Sequence, residues 1–231
     1  GTAAGLGAFF QEAEDQIGAG WLTWAFSNHD VIRVVTRWGN GDPASGPLFM
    51  ALLLSLRGSI CLYQGEELGL PEAEVPFEHL QDPFGRNYWP EFKGRDGCRT
   101  PMPWRRAAPN GGFSDAAPWL PLADDHRDLA VDRQEAWDDS MLNVTRRLLA
   151  WRKAHPTLLA GAMLVCSEMP EPLLVLERGD GATGIMRLAF NLSASPVSVP
   201  EDLSGLDSIP GVPAPSAGVL PAWGAGVSFS A

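Results

Sequence analysis

Positive charge and cysteine are both scarce in this sequence. Its 17 Lys and Arg stand against 28 Asp and Glu, a net charge of −11, so neither a nucleic-acid backbone nor an anionic membrane surface is an expected partner. Three cysteines, Cys61, Cys98 and Cys166, are too few and too scattered for a disulfide framework or a zinc site, and read as reduced structural thiols. No apolar run reaches membrane-spanning length; the longest helical one, from Leu48 to Leu56, stops at Arg57. His79, His126 and His155 show no metal-ligand spacing. They are expected to face solvent, and no metal or other cofactor is expected. Nothing reads as a signal peptide, although the chain opens with Gly1-Thr2 rather than Met; the expected compartment is the cytoplasm. No internal repeat is visible.

What is present is ordinary globular material with shaped loops. Of 231 residues 45% are hydrophobic, with nine Trp and ten Phe, enough to build a core. The 20 Pro and 25 Gly are too dense for a helical bundle. Residues 6–17 form an amphipathic pattern with Leu6, Phe9, Phe10, Ala13 and Ile17 on one stripe. Residues 21–26 lack polar alternation and read as a strand buried on both faces. An apolar helix over 47–56 and a second buried strand over 60–64 follow. That order implies a right-handed parallel βαβ unit. A long irregular segment over 68–135 is dense in Pro, Gly and Trp, the kind of loop that is usually functional. Its Trp89, Trp104 and Trp119 are expected mainly to anchor it to the core. A helix over 137–155 carries the stripe Met141, Val144, Leu148 and Trp151, and Pro156 stops it. Beyond it, β-prone runs at 163–167, 173–178, 185–191, 197–199 and 227–229 predict a small antiparallel sheet or sandwich. Residues 205–226 read as loop.

Two clusters carry chemistry. Ser27-Asn28-His29-Asp30 follows the first buried strand, and in parallel α/β barrels the strand C-termini hold the active site. On the string alone, an Asp capping the next helix is the commoner explanation. The buried strand before it and the second cluster reverse that preference. Gly94-Arg95-Asp96-Gly97-Cys98-Arg99-Thr100-Pro101-Met102-Pro103-Trp104 is a turn-rich loop whose Arg99 can anchor an acid and a sugar hydroxyl together, or make a structural pair within the loop. Arg95 and Asp96 read as structural. Tyr63-Gln64-Gly65-Glu66-Glu67-Leu68-Gly69 ends the second strand, with Glu66 and Glu67 in supporting roles. Glu74 is a candidate for the acceptor side of a pocket.

Together these clusters resemble the late motifs of α-glucosidases in the α-amylase-type glycoside hydrolase family, in its oligo-1,6-glucosidase and maltase-like branch. The resemblance implies an α/β fold: the C-terminal portion of a TIM (β/α)8 barrel, about strands seven and eight with their helices, over residues 1–157. A small all-β antiparallel domain follows over 158–231. It further implies that Asp30 is the transition-state-stabilising catalytic carboxylate, that His29 hydrogen-bonds the glucosyl ring, and that Arg99 closes the pocket on the non-reducing end of a small α-glucoside or oligosaccharide. The family's retaining mechanism also needs an Asp nucleophile and a Glu acid/base, and no stretch here matches the motifs that carry them. The chain alone is therefore expected to be inactive, and to need the N-terminal part of a barrel or self-association to cover its apolar faces. A non-catalytic scaffold or carbohydrate-binding remnant of the same fold is the alternative.

Overall fold

The structure, a computed structural model, describes residues 2–180 and 184–230. The chain divides into two compact units. The first comprises Gly1–Trp24, Pro47–Cys61 and Val144–Ala231, the second Ala25–Gly46 and Leu62–Asn143.

The first unit opens with the helix Ala3–Ile17. The Thr2 hydroxyl accepts from the Gly5 N–H at 3.0 Å, and the Glu171 carboxylate accepts from the N–H groups of Ala3 and Ala4 at 2.9 Å each. These bonds occupy donors that a helix start leaves open, and in return they hold the Glu171 carboxyl below its usual range. A Cβ at Gly7 would lie 3.0 Å from Val165 and 3.2 Å from Leu174, so a residue with no side chain lets the helix settle on the sheet behind it. Phe10 meets the Trp24 ring edge-on at 5.4 Å.

The expected parallel pairing forms: Thr23–Trp24 pairs with Ser59–Ile60. Each strand is only two residues long, against the longer spans expected. Among the described residues this sheet has no third strand, so hydrogen bonding to one neighbour is all that defines it. Leu48, Ala51, Leu52 and Leu54 of the helix Gly46–Ser55 have no accessible surface; apolar on every side, it is a core helix. Its C-terminal carbonyls are met by two buried arginines. Arg152, from the helix Met141–Ala154, donates to the carbonyls of Leu54, Leu56 and Gly58. Arg178, from the strand Leu173–Asp180, donates to those of Ser55, Thr157, Leu158, Gly161 and Ala162. Cations suit the negative end of a helix, yet burial, reinforced by Arg152, pushes the Arg178 guanidinium down to about 9.

The antiparallel sheet expected after Pro156 is present. Its strands lie in the order Met163–Cys166, Leu173–Asp180, Gly184–Asn191, Ala225–Ser230 and Asp207–Ser208, with Val197–Ser198 paired separately to Val219–Leu220. Leu173, Val175 and Ala189 pack with Leu203 and Leu220 in one apolar cluster. The strands at 207–208 and 219–220 fall in the segment expected to be loop; at two residues each they leave no alternation to read.

In the second unit the segment over 68–135 is built of short helical turns, none longer than five residues: Pro83–Asn87, Asp124–Asp128 and Val131–Glu135 are its α-helical pieces. They gather around Leu68, Leu70, Met102 and Leu142, and around Val75, Leu80 and Leu120 with Trp89 against them. Trp104 and Trp119 do not anchor the loop by their rings, being 49% and 60% exposed. His126 is a correction. It is fully buried, with Nε2 3.0 Å from the Pro71 carbonyl oxygen and Nδ1 3.5 Å from the Thr100 hydroxyl. Burial lowers its pKa, so the ring works as a neutral spacer between two loop strands. His79 is exposed as expected, whereas His155 is half-buried beside Trp151 and Phe229. The cysteines are free, Cys61 exposed, Cys98 buried and Cys166 between. Among the described residues no helix is long and apolar enough to cross a membrane.

Replacing Arg178 with Met keeps the volume but strips five carbonyls of their donor. The expected loss is about 3–5 kcal/mol of unfolding free energy, read by urea titration at neutral pH; a loss within experimental error would show that these carbonyls are satisfied without it.

Candidate active site

The first cluster is set by local hydrogen bonds. Buried Ser27 accepts from the Val34 N–H at 2.9 Å through Oγ, fixing where the chain leaves the end of the strand region. Asn28 Oδ1 accepts from the Asp30 N–H at 2.8 Å, an Asx turn that swings His29 and Asp30 outward, where both are exposed. Arg33 points the other way and is 1% exposed. Its backbone N–H donates to Glu72 Oε2 at 3.0 Å, Nη1 to the Gln64 carbonyl at 2.6 Å and Nη2 to the Cys98 carbonyl at 3.0 Å. One guanidinium thus ties the Asp30 segment, the Tyr63-Gln64 exit and the loop after Gly94.

The Tyr63 exit is braced by the same contacts. Tyr63 donates its hydroxyl to the Cys98 carbonyl at 2.9 Å, and the Arg33 guanidinium lies 5.3 Å from its ring centre. Glu66 and Glu67 turn back on the main chain, accepting from the N–H groups of Tyr63 at 2.8 Å and Gly65 at 2.7 Å. Burial raises the Glu66 carboxyl above its usual range, only partly offset by that Tyr63 bond. Glu74 is exposed and paired with Lys93.

The second cluster hangs on two buried carboxylates. Asp96 Oδ2 accepts from the N–H groups of Gln81 at 2.6 Å and Asp82 at 2.8 Å. Asp82 in turn takes Arg95 in a fork: Nε donates to Oδ2 at 2.9 Å and Nη2 to Oδ1 at 3.0 Å, while the Arg95 N–H donates to Oδ2 at 2.9 Å. Between them, Gly94 takes φ +79°, and a Cβ there would lie 2.8 Å from Gly85 Cα. Only glycine tolerates both. The Arg95 fork, ahead of the cost of burial, holds the Asp82 carboxyl down at about 2.

These supports bring the expected site residues together. Asp30 Oδ1 accepts from Arg99 Nη2 and from Arg95 Nη1, each at 3.1 Å, and Asp30 Oδ2 lies 3.5 Å from His29 Nε2. Arg99 Nε donates to the His29 carbonyl at 2.8 Å. Asp30 is therefore no helix cap, and Arg99 does not close a pair inside its own loop. Arg95, taken from the sequence as structural, reaches the same carboxylate. Neither Asp82 nor Arg33 stands in a string that marks it as a site residue. The signal for Asp82 was its place before Pro83, where it caps a helix by accepting from the Phe84 N–H at 3.2 Å. Among the described residues no group of three or more His, Cys, Asp or Glu side chains could hold a metal ion.

A profile of the family described as alpha amylase, catalytic domain, matches residues 5–161. The chain belongs to the α-amylase family. A probable α-glucosidase of Rhizobium meliloti (strain 1021) is 46% identical over 214 residues, covering 89% of this chain and 38% of that protein. Probable oligo-1,6-glucosidase 2 of Bacillus subtilis (strain 168) is 31% identical over 166 residues, covering 62% of this chain and 29% of that protein. Among solved structures, the α-glucosyl transfer enzyme XgtA superposes with a TM-score of 0.90 at 46% identity, covering all of this chain and 44% of that one. Trehalulose synthase MutB, at 23% identity and a TM-score of 0.84 over 100% of this chain and 47% of its own, shares the fold. The α-amylase catalytic domain of these relatives is a TIM barrel; this chain covers part of that fold and carries a small antiparallel sheet. The chain spans less than half the length of these relatives.

The Asp82 pair sets a pH dependence. Its folded value of about 2 lies below the unfolded 3.8, so the stability it contributes is complete above pH 3.8 and lost as pH falls toward 2. A difference of that size corresponds to about 2 kcal/mol. Asp82→Asn is expected to flatten the stability profile between pH 4 and 2 by about that amount in acid-unfolding experiments; an unchanged slope would place the acid sensitivity elsewhere.

Proposed function

We propose that this chain is the C-terminal part of a retaining, exo-acting α-glucosidase that removes or transfers the terminal α-glucosyl residue of small glucosides. In this reading Thr23–Trp24 and Ser59–Ile60 are the seventh and eighth barrel strands, residues 1–157 complete the barrel, and residues 158–231 form the β domain. The observation that carries it is the convergence of Arg99 and His29 on the Asp30 carboxylate, within a chain 46% identical over most of its length to a probable α-glucosidase.

The chemistry follows from the charges. Glycosidic cleavage passes through an oxocarbenium-like state with positive charge on the sugar ring. An ionised carboxylate fixed beside the ring stabilises that state more than the neutral substrate, which is what lowers a barrier. Asp30 supplies the carboxylate. His29 is placed to bond a ring hydroxyl. Arg99, always charged and with a fork of donors, fixes the end of the sugar. The nucleophile and the acid/base come from barrel strands outside this chain. Hydrolysis and transfer differ only in whether water or another sugar hydroxyl takes the glucosyl group.

Two measurements test the reading. The 231-residue chain alone is expected to show no turnover of a chromogenic α-glucoside; clear turnover surviving purification controls would overturn the division of catalytic groups. In the longer polypeptide, Asp30→Asn is expected to cut kcat by about 100- to 1,000-fold, the range for losing a key charge-stabilising group. Near-normal turnover would remove Asp30 from catalysis and leave the alternative, a carbohydrate-binding remnant, detectable as sugar binding by calorimetry.

A further inference from the structure

We infer that Arg95, held by buried Asp82, is a positioning residue that sets the rotation of the Asp30 carboxylate and leaves its Oδ2 for the sugar. The inference rests on the α-glucosidase reading of this site and adds to it a residue whose sequence context marks it as structural.

The two oxygens of Asp30 have different surroundings. Oδ1 accepts from two guanidiniums, Arg95 Nη1 and Arg99 Nη2, at 3.1 Å each. Among the described residues Oδ2 has only the His29 ring nitrogen, at 3.5 Å, too long for a good hydrogen bond. Asp30 stays half exposed, at 51% of its side chain, and its two charge-assisted bonds decide which oxygen faces outward.

The two arginines are not equivalent partners. Arg95 spends Nε and Nη2 on Asp82, a carboxylate with no accessible side-chain surface. Asp82 is itself fixed, its own N–H held by Asp96 and its oxygens by the N–H groups of Phe84 and Arg95. A rigid line therefore runs from buried Asp96 through Asp82 and Arg95 to Asp30. Among the described residues Arg99 has no buried carboxylate behind it; its bonds are to Asp30 and to the His29 carbonyl. It can move toward a ligand while Arg95 keeps Asp30 in place. Lysine could not do this, because one point charge cannot satisfy Asp82 in a fork and reach Asp30 as well.

The test is kinetic, on the longer polypeptide that carries this chain, with 4-nitrophenyl α-glucoside as probe. Arg95→Gln is expected to lower kcat about 100-fold, the scale of a misplaced catalytic group, with KM changed less than about threefold. Asp82→Asn should move kcat in the same direction, and Arg95→Lys should recover only part of it. If the wild type shows no turnover, the α-glucosidase reading fails and the inference falls with it. If the wild type turns over and Arg95→Gln keeps its kcat, or raises KM alone, the inference fails and the reading stands. Should Arg95→Gln not fold, a folded Arg95→Lys with wild-type kcat also overturns it.

Discussion

The ion pair between Asp82 and Arg95 fixes the geometry of the candidate site. Asp82 lies where water cannot reach it, and an unpaired carboxylate there would cost several kcal/mol. It is tolerable because Arg95 meets both of its oxygens in a planar fork, with main-chain N–H groups filling what remains. Such a pair contributes little net stability over an apolar substitute. What it provides is direction. With Arg95 held, the loop that follows Gly94 brings Arg99 beside the carbonyl of His29.

The same device recurs away from the site, with main-chain carbonyls in place of carboxylates. A chain with 20 Pro and 25 Gly turns often, and each turn inside a packed region leaves carbonyls that no helix or strand satisfies. Arg33, Arg152 and Arg178 are 1%, 7% and 0% exposed, and the bonds of their guanidiniums go to main-chain oxygens. One arginine brings five donors in a fixed plane, enough to close a helix end and a turn at once. The cost shows in the lowered pKa values of these groups, whose leading cause is desolvation.

This explains what could be read in the sequence and what could not. Repetition was legible: the apolar helix Gly46–Ser55, the stripe on Met141–Ala154 and the long strands of the antiparallel sheet all repeat one pattern for several turns or residues. Asp30, His29 and Arg99 were legible as a cluster because each stands in a short string of unusual composition. The two-residue strands were not, since a period cannot be seen in two residues. Nor was the burial of His126, which sits in Asp124-Asp125-His126-Arg127 and looks like surface. Its burial is decided by Pro71 and Thr100, far away in the chain. Arg95 and Asp82 are thirteen residues apart, and no local rule tells that one will reach back to the other and then on to Asp30.

The proposed site for a neutral sugar has to hold a bare carboxylate ready without letting it collapse onto the nearest cation. Two arginines on the same oxygen invite that collapse, but geometry prevents it. Arg95 is committed elsewhere by two of its nitrogens and can offer Asp30 only one, from one side. Arg99 is tied to the His29 carbonyl by its Nε and meets Asp30 through Nη2, on the same oxygen. Arg95 cannot swing round to chelate both oxygens of Asp30, which is how a free guanidinium would neutralise a carboxylate. The surrounding commitments of the cations, more than anything on Asp30 itself, keep one oxygen open.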